Sequence, residues 1–515
     1  MTTTTANNPR TLPGPLLYGS IFLLSLIEFL QSGMTAFAAA PIMGEVGIGP
    51  EEFSLVAAVY ASVAVLAISM QRWFVERIGG RRFIQLSAAV SVAGSLICAG
   101  SHDFAGFLAG RAVMALGGGA FFTASRMIIH HTLAGPKRFT GIRCLATGVA
   151  AGIALAPWLA SMAVSNENWS AMYSILAGLG AVIFVLAEFA LPDRSITSPE
   201  RSSLQVGHQV LLAGASFLLL YSLQRSYYDF YGNAGWTALA FVAAIAGLGI
   251  YLHRQHGHAR PLLRLREMLR PRYLFGLAMF FFAYLMLGAN NYAIPSMLQG
   301  TLGYGWATVG RVEALGLAAA LLTWWVMERV LPRCPAPRKF LVTGFVALAA
   351  FGLLLARIAP DANLWLSVLP ALACNSIFLL TVLPISAMQT FNDMERDESL
   401  FSHAQQLKNM MAQIGIALGI ALATIGQQWR VAVHYSTLAG QVSTSNPAYA
   451  ETLQRVQDAF ASTMAPAEAA KLALAQVAQM LAQQSSLLAN IDHFSVIAAL
   501  GLLGIAVAMG QRVFR

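Results

Sequence analysis

The chain has 515 residues, of which 57% are hydrophobic and only 11% charged, with 32 Lys and Arg set against 23 Asp and Glu for a formal net charge of +9. That balance excludes an ordinary soluble domain and places the chain among membrane proteins. The four cysteines, Cys98, Cys144, Cys334 and Cys374, show no C-x-x-C spacing, so they read as packing residues rather than a disulfide or metal framework.

A segment of about 20 residues is needed to cross the hydrocarbon core. Fourteen apolar stretches reach that length, near 16–38, 53–71, 83–100, 104–127, 143–163, 170–191, 205–224, 236–253, 273–295, 306–327, 340–358, 364–386, 402–424 and 491–511. The first follows Arg10 and carries Ala36-Phe37-Ala38, which imitates a cleavage site, but it is too long for a signal h-region and is read as a span. Near its middle stands Glu28, where an ionised carboxylate costs several kcal/mol unless it is paired or faces a wet cavity. Gln31, Ser32 and Thr35 follow at i+3, i+4 and i+7, which puts all four on one helical face. That polar stripe fits a cavity wall with Glu28 as proton carrier; a structural Glu bonded to a neighbouring helix fits it too.

Behind the second stretch comes Trp73-x-x-Glu76-Arg77-x-x-x-Arg81, with Gly79 and Gly80 for a tight turn and Arg82 after it. The same pattern recurs behind the tenth stretch as Trp325, Glu328, Arg329 and Arg333. A motif repeated in matching places marks an internal duplication of membrane helices, the architecture of alternating-access carriers. The motif charges are suited to salt bridges with helix ends of the other half, which break when the inner side opens; a simple basic anchor is the alternative.

Further along, Arg111 lies within the fourth stretch, where a guanidinium needs an acidic or carbonyl partner. Glu28 is the candidate partner, backbone carbonyls the other. In the fifth stretch Gly148, Gly152, Ala156 and Ala160 recur every four residues, with Pro157 among them. Such a ladder lets two helices approach closely, either as a bending seam between halves or as tight packing. Asn290 and Asn291 in the ninth stretch, and Asn375 in the twelfth, are cavity-lining candidates, with interhelical hydrogen bonds an equal explanation. Glu313 opens the tenth stretch, and Gln405 and Lys408 open the thirteenth; all three read as shallower than Glu28. Glu313 is a second proton or substrate candidate. Between 425 and 490 lies the one sizeable polar region, where Asn446-Pro447 predicts a helix start and Pro466 a second.

Lys and Arg are retained on the cytoplasmic side of short loops. Here they crowd the returns after even-numbered stretches, including Arg72, Arg77, Arg81, Lys137, Arg194, Arg201, Arg260, Arg338, Lys339 and Arg396. Both termini are therefore expected on the cytoplasmic side. The positive charge is a topology signal with an attraction to membrane lipid, and nucleic acid is not an expected partner. The expected organisation is an all-α membrane protein: a six-helix bundle over 1–195, two inserted helices over 196–260, and a second six-helix bundle over 261–515 that includes the polar loop.

The stretch Arg72-Trp-Phe-Val-Glu76-Arg77-Ile-Gly79-Gly80-Arg81-Arg82, Arg111 with the later Gly119, and Ala156-Pro157-Trp-Leu-Ala160-Ser161 together resemble the major facilitator superfamily. Within it they are similar to the 14-helix drug:proton antiporters of the EmrB/QacA type. The resemblance implies the major facilitator fold and proton-coupled export of amphipathic small molecules. It also implies a periplasmic adaptor and an outer-membrane channel as partners, and no cofactor or metal. One departure stands out: the family's first-helix Asp aligns with Ser32, leaving Glu28, one turn earlier, as its substitute. An exporter of an endogenous metabolite such as a siderophore or antibiotic, or a non-transporting receptor, are the alternatives. Neither His-Glu-x-x-His nor Gly-x-Ser-x-Gly occurs, and no Gly-Lys pair exists for a phosphate loop, so catalysis is not expected.

Overall fold

A computed structural model describes residues 14–133, 135–191, 203–229, 232–256, 264–331, 333, 336–360, 362–394, 397–443 and 445–514. Arg10, Arg194, Arg201, Arg260, Cys334 and Arg396 lie outside them, as do the expected division points near 195 and 260. Among the described residues all regular structure is helical, and fourteen helices are long and apolar enough to cross a membrane. They are α1 Gly14–Phe37, α2 Pro50–Ile78, α3 Gly80–Ala99, α4 Phe104–His130, α5 Pro136–Ser165, α6 Ala171–Ala190, α7 Val206–Ser226, α8 Ala234–His256, α9 Pro271–Thr301, α10 Trp306–Val330, α11 Pro337–Leu355, α12 Leu364–Thr390, α13 Leu400–Ala439 and α14 Pro466–Gly510.

Local signals set the ends. Pro50, Pro136, Pro271 and Pro337 occupy first-turn positions, where the missing N–H costs nothing and the fixed φ suits a helix. Asp103 caps α4 by accepting the Gly106 N–H at 2.8 Å. Gly79, at φ +84°, turns the chain between α2 and α3 in a conformation a side chain would strain.

Helices α1–α6 and α9–α14 form two bundles that meet along α2–α13 and α5–α10. The α7–α8 hairpin stands beside this junction, with α7 against α2 and α13 and α8 against α7. Trp236 and Val242 of α8 and Leu322 of α10 are exposed, as expected of side chains that face lipid rather than protein. All the Trp/Glu/Arg motif residues gather at one end of the bundle, hereafter the basic end.

The polar loop departs from expectation in one respect. Asn446 does cap a helix, Pro447–Ala461, by accepting the Ala448 N–H at 3.1 Å, and Pro466 does start the next. That second helix, however, does not stop before the last span; the two are one helix of 45 residues. Hydropathy falls between 466 and 490, but Ala, Gln and Leu sustain helix propensity there without a breaker. At 1.5 Å per residue α14 is about 68 Å long, roughly twice the hydrocarbon thickness, so α13 and α14 project beyond the membrane with Pro447–Ala461 packed on α14.

A buried acid between two cavities

Glu28 is buried on α1, and its Oε1 accepts a hydrogen bond from Nε2 of Gln413 at 2.6 Å. The bond crosses from one bundle to the other. Its Oε2 has no hydrogen-bond partner. Gln31, Ser32 and Thr35 line the same cavity, of about 60 Å³, so the helical spacing does bring the four together. Opposite them Asn409 and Gln413 of α13 line it at i and i+4.

Arg111 lines this cavity too, but it forms no ion pair with Glu28. Its guanidinium lies 4.3 Å from the centroid of the Tyr60 ring, and Nη1 donates to the Met114 sulfur at 3.6 Å. A flat cation over an aromatic face recovers part of the desolvation cost without a carboxylate. Tyr60 also takes the Gln31 amide on its hydroxyl, and Thr35 bonds the Tyr173 hydroxyl at 3.1 Å.

Glu313 is buried, with Oε1 unpartnered, in a smaller cavity shared with Ser32, Asn291 and Pro157. Its shallow place in the sequence pattern is therefore misleading: seven residues into α10 it already faces the junction of the bundles. Ser32 borders both acids' cavities. Asn290 and Asn375 line neither of these two cavities; Nδ2 of Asn290 donates to Oδ1 of Asn375 at 2.9 Å, tying α9 to α12 inside one bundle.

Toward the basic end opens a far larger cavity of about 590 Å³, walled mainly by apolar side chains of α4, α5, α9, α10 and α12. Phe29, Phe122 and Tyr284 line both this space and the Glu28 cavity. The Phe29 and Phe122 ring centroids are 5.7 Å apart, and those of Phe29 and Tyr284 6.4 Å. These rings form the partition between the two. Behind them Lys408 is fully buried, its Nζ 4.6 Å from the Phe122 centroid and 5.1 Å from that of Phe280. The expectation of a shallow Lys408 thus fails: the helix begins near the basic end, but α9 and α4 enclose this face of it.

The repeated motif shows its duplication in geometry. Arg77 stacks on Trp73 at 4.2 Å and Arg329 on Trp325 at 3.5 Å, each donating to the carbonyl of its own Trp. Part of the motif reaches across the bundles. Glu328 pairs with Arg143 of α5 at 2.8 Å, and Arg72, itself paired with Glu76 at 2.7 Å, meets Nε2 of His403 on α13 at 2.7 Å. Arg81 instead pairs with Glu188 of α6 in its own bundle, while Arg82 and Arg333 are exposed. The Arg143 side of the Glu328 pair is 49% exposed, and such pairs are worth about 0.2–1 kcal/mol. Glu328→Gln should therefore change the rate of basic-end opening, followed by labelling of a cysteine placed on the cavity wall, by no more than about fivefold. A hundredfold change would make this pair a dominant latch.

The small-residue ladder of α5 serves a different neighbour from the one a seam requires. A side chain at Gly148 or Gly152 would overlap the α1 backbone at Phe22 and Leu26, and Ala156 presses on Gly33. Gly148, Gly152 and Ala156 are thus intra-bundle packing, and Ala160 is buried with them. The contact between bundles lies on the other side of the helix, where Pro157 and Ser161 abut Gly310 of α10.

Gln413, Tyr60, Arg126 and the aromatic partition went unmarked in the sequence. Gln405, Asn409 and Gln413 recur every four residues, a stripe that would have pointed to α13; nothing local marks Tyr60 or Phe122.

Residues 21–420 match the Major Facilitator Superfamily. The chain is 22% identical over 454 residues to an uncharacterised transporter of this type, YhcA of Bacillus subtilis, covering 87% of this chain and 82% of the relative. It is 22% identical to the putative multidrug resistance protein MdtD of Serratia proteamaculans, covering 79% and 84%. To the drug efflux pump JefA of Mycobacterium tuberculosis it is 23% identical, covering 71% of each. Among solved structures, an auto-inhibited POT family peptide transporter aligns with a TM-score of 0.58 at 15% identity, covering 96% and 97%. A bacterial homologue of the human lysosomal transporter Spinster, inward-facing and unoccupied, aligns at 0.57 with 13% identity, covering 97% of each.

Proposed function

Because the chain belongs to the major facilitator superfamily, and is a multi-pass transporter rather than an enzyme, we propose that it exports amphipathic small molecules from the cytoplasm in exchange for protons by alternating access. The basic end then faces the cytoplasm of a bacterial inner membrane, with both termini there. The two bundles, 1–195 and 261–515, rock about the central cavities while the pair inserted over 196–260 stays beside the junction.

One observation carries the reading. Glu28 is a buried carboxyl with a free oxygen, and its other oxygen holds Gln413 of the opposite bundle. A proton that comes and goes there changes the charge of the contact between the two moving parts. Coupling is conformational: the proton enters from the far side once cargo has left and favours the return to the basic-end-open orientation, where it is released. Arg111 supplies fixed positive charge beside the acid. Glu313 is the second titratable candidate, and the large apolar cavity accepts cargo without strict geometry. The names of MdtD, a putative multidrug resistance protein, and JefA, a drug efflux pump, support the cargo class.

Expression in a pump-deficient host tests this. Cytoplasmic accumulation of an amphipathic dye falls, and a protonophore restores it; accumulation that ignores the protonophore contradicts proton coupling. The projecting α13–α14 segment is the surface on which a periplasmic adaptor, leading to an outer-membrane channel, would dock. The helix Pro447–Ala461 buries no residue, so replacing 441–464 with a short Gly/Ser linker should spare insertion and vesicle transport yet lower drug resistance in cells. Full resistance would dispose of the adaptor.

A further inference from the structure

We infer that the cargo is an amphipathic organic anion, a single carboxylate or sulfonate on an apolar body, bound in the basic-end cavity with its head group at Arg126. This rests on the reading that cargo passes through that chamber. The two charged side chains on its wall are Arg126 and Glu328, and Glu328 is already neutralised by Arg143. Among the described residues no carboxylate pairs with Arg126, which leaves one uncompensated charge, a cation, facing an otherwise apolar space.

A second basic side chain lies immediately behind. Lys408 is fully buried, its Nζ has no hydrogen-bond partner, and it rests against Phe122 and Tyr284, whose rings line the same cavity. Arg126 in turn has its guanidinium 5.4 Å from the Phe122 centroid. Phe122 is thus flanked by two basic groups, and the nearest central acid, Glu28, faces the other cavity. A guanidinium keeps its charge in a poorly solvated chamber, creates a positive potential there that attracts an organic anion, and gains charge-assisted hydrogen bonds from a carboxylate. An organic cation of the same body meets repulsion at Arg126. The apolar wall and the aromatic partition provide for the rest of such a molecule.

The test uses the full chain in nanodiscs and two probes, pyrenebutanoate and pyrenebutylammonium, which share an aromatic body and differ in the sign of the head group. Binding is read by energy transfer from Trp324, which lines the cavity. The anion should bind at least about tenfold more tightly than the ammonium. Arg126→Gln should weaken the anion by about tenfold and leave the ammonium unchanged or improved, and Lys408→Gln should weaken it in the same direction. Arg126→Lys, which keeps the charge, should retain most of the affinity and serves if the glutamine variant fails to fold. Equal affinity for the two probes, or anion binding indifferent to Arg126→Gln, overturns the proposal. No gradient is present in this measurement, so export can fail while anion binding stands, and a cation-selective exporter would sink this inference alone.

Discussion

Glu28→Gln should reduce gradient-driven export to the level of protein-free vesicles while changing cargo affinity by less than about threefold. The substitution is close to isosteric, and the new amide oxygen still accepts the Gln413 bond seen at 2.6 Å. What disappears is the group that loses and regains a proton. Leaving the neutral form in place permanently also removes the cost of an ionised carboxylate in the membrane interior, several kcal/mol, so the variant should be no less stable. Ser32 lies on the same cavity wall one turn along α1. Introducing Ser32→Asp into the Glu28→Gln background should therefore recover part of the transport. Undiminished export in Glu28→Gln would remove Glu28 as the coupling site and turn attention to Glu313.

The second large effect lies at the junction of the bundles. At Gly310 an added Cβ would overlap Ser161 of α5, so Gly310→Leu cannot be accommodated while α5 and α10 remain in contact there. Overpacking of this kind costs about 1–3 kcal/mol, which biases a two-state equilibrium by roughly 5- to 150-fold. The orientation that separates these helices at Gly310 should dominate, and transport should fall by a similar factor with expression preserved. Accessibility of a cysteine placed beside Ser161 measures the bias directly. Normal transport in Gly310→Leu would mean that the α5–α10 contact yields to the added side chain without biasing the cycle. Gly148→Leu makes an informative contrast: it should impair folding rather than bias, since it collides with α1 of its own bundle.

How much of this could be read from the sequence depended on what kind of signal each residue left. The fourteen spans and the duplication were legible because hydropathy and a repeated Trp/Glu/Arg motif are properties of the chain itself. So was the Glu28 stripe, whose i, i+3, i+4, i+7 spacing fixes a common face whatever packs against it. Spacing says that a surface exists, not which neighbour meets it. The α5 ladder shows this: small residues announce a close approach, but only the packing reveals that Gly148 and Gly152 serve α1 while Pro157 and Ser161 serve α10. Lys408 illustrates a different limit. Its position near a span end suggested an easy route to water, whereas enclosure by neighbouring helices, not distance along its own, buried it. The Arg111 partner was expected among acids or backbone carbonyls, because those groups are visible in a sequence and a ring face is not. Tyr60 met it instead.

The central claim is that a proton and cargo move in opposite directions through the same pair of bundles. Vesicles containing the purified protein, loaded with a dye cargo and pyranine and clamped electrically with potassium and valinomycin, test it most directly when diluted into cargo-free buffer. As dye leaves, the lumen should acidify, and it should not do so with Glu28→Gln. Dye efflux by the native protein with a steady or rising lumenal pH would contradict the account.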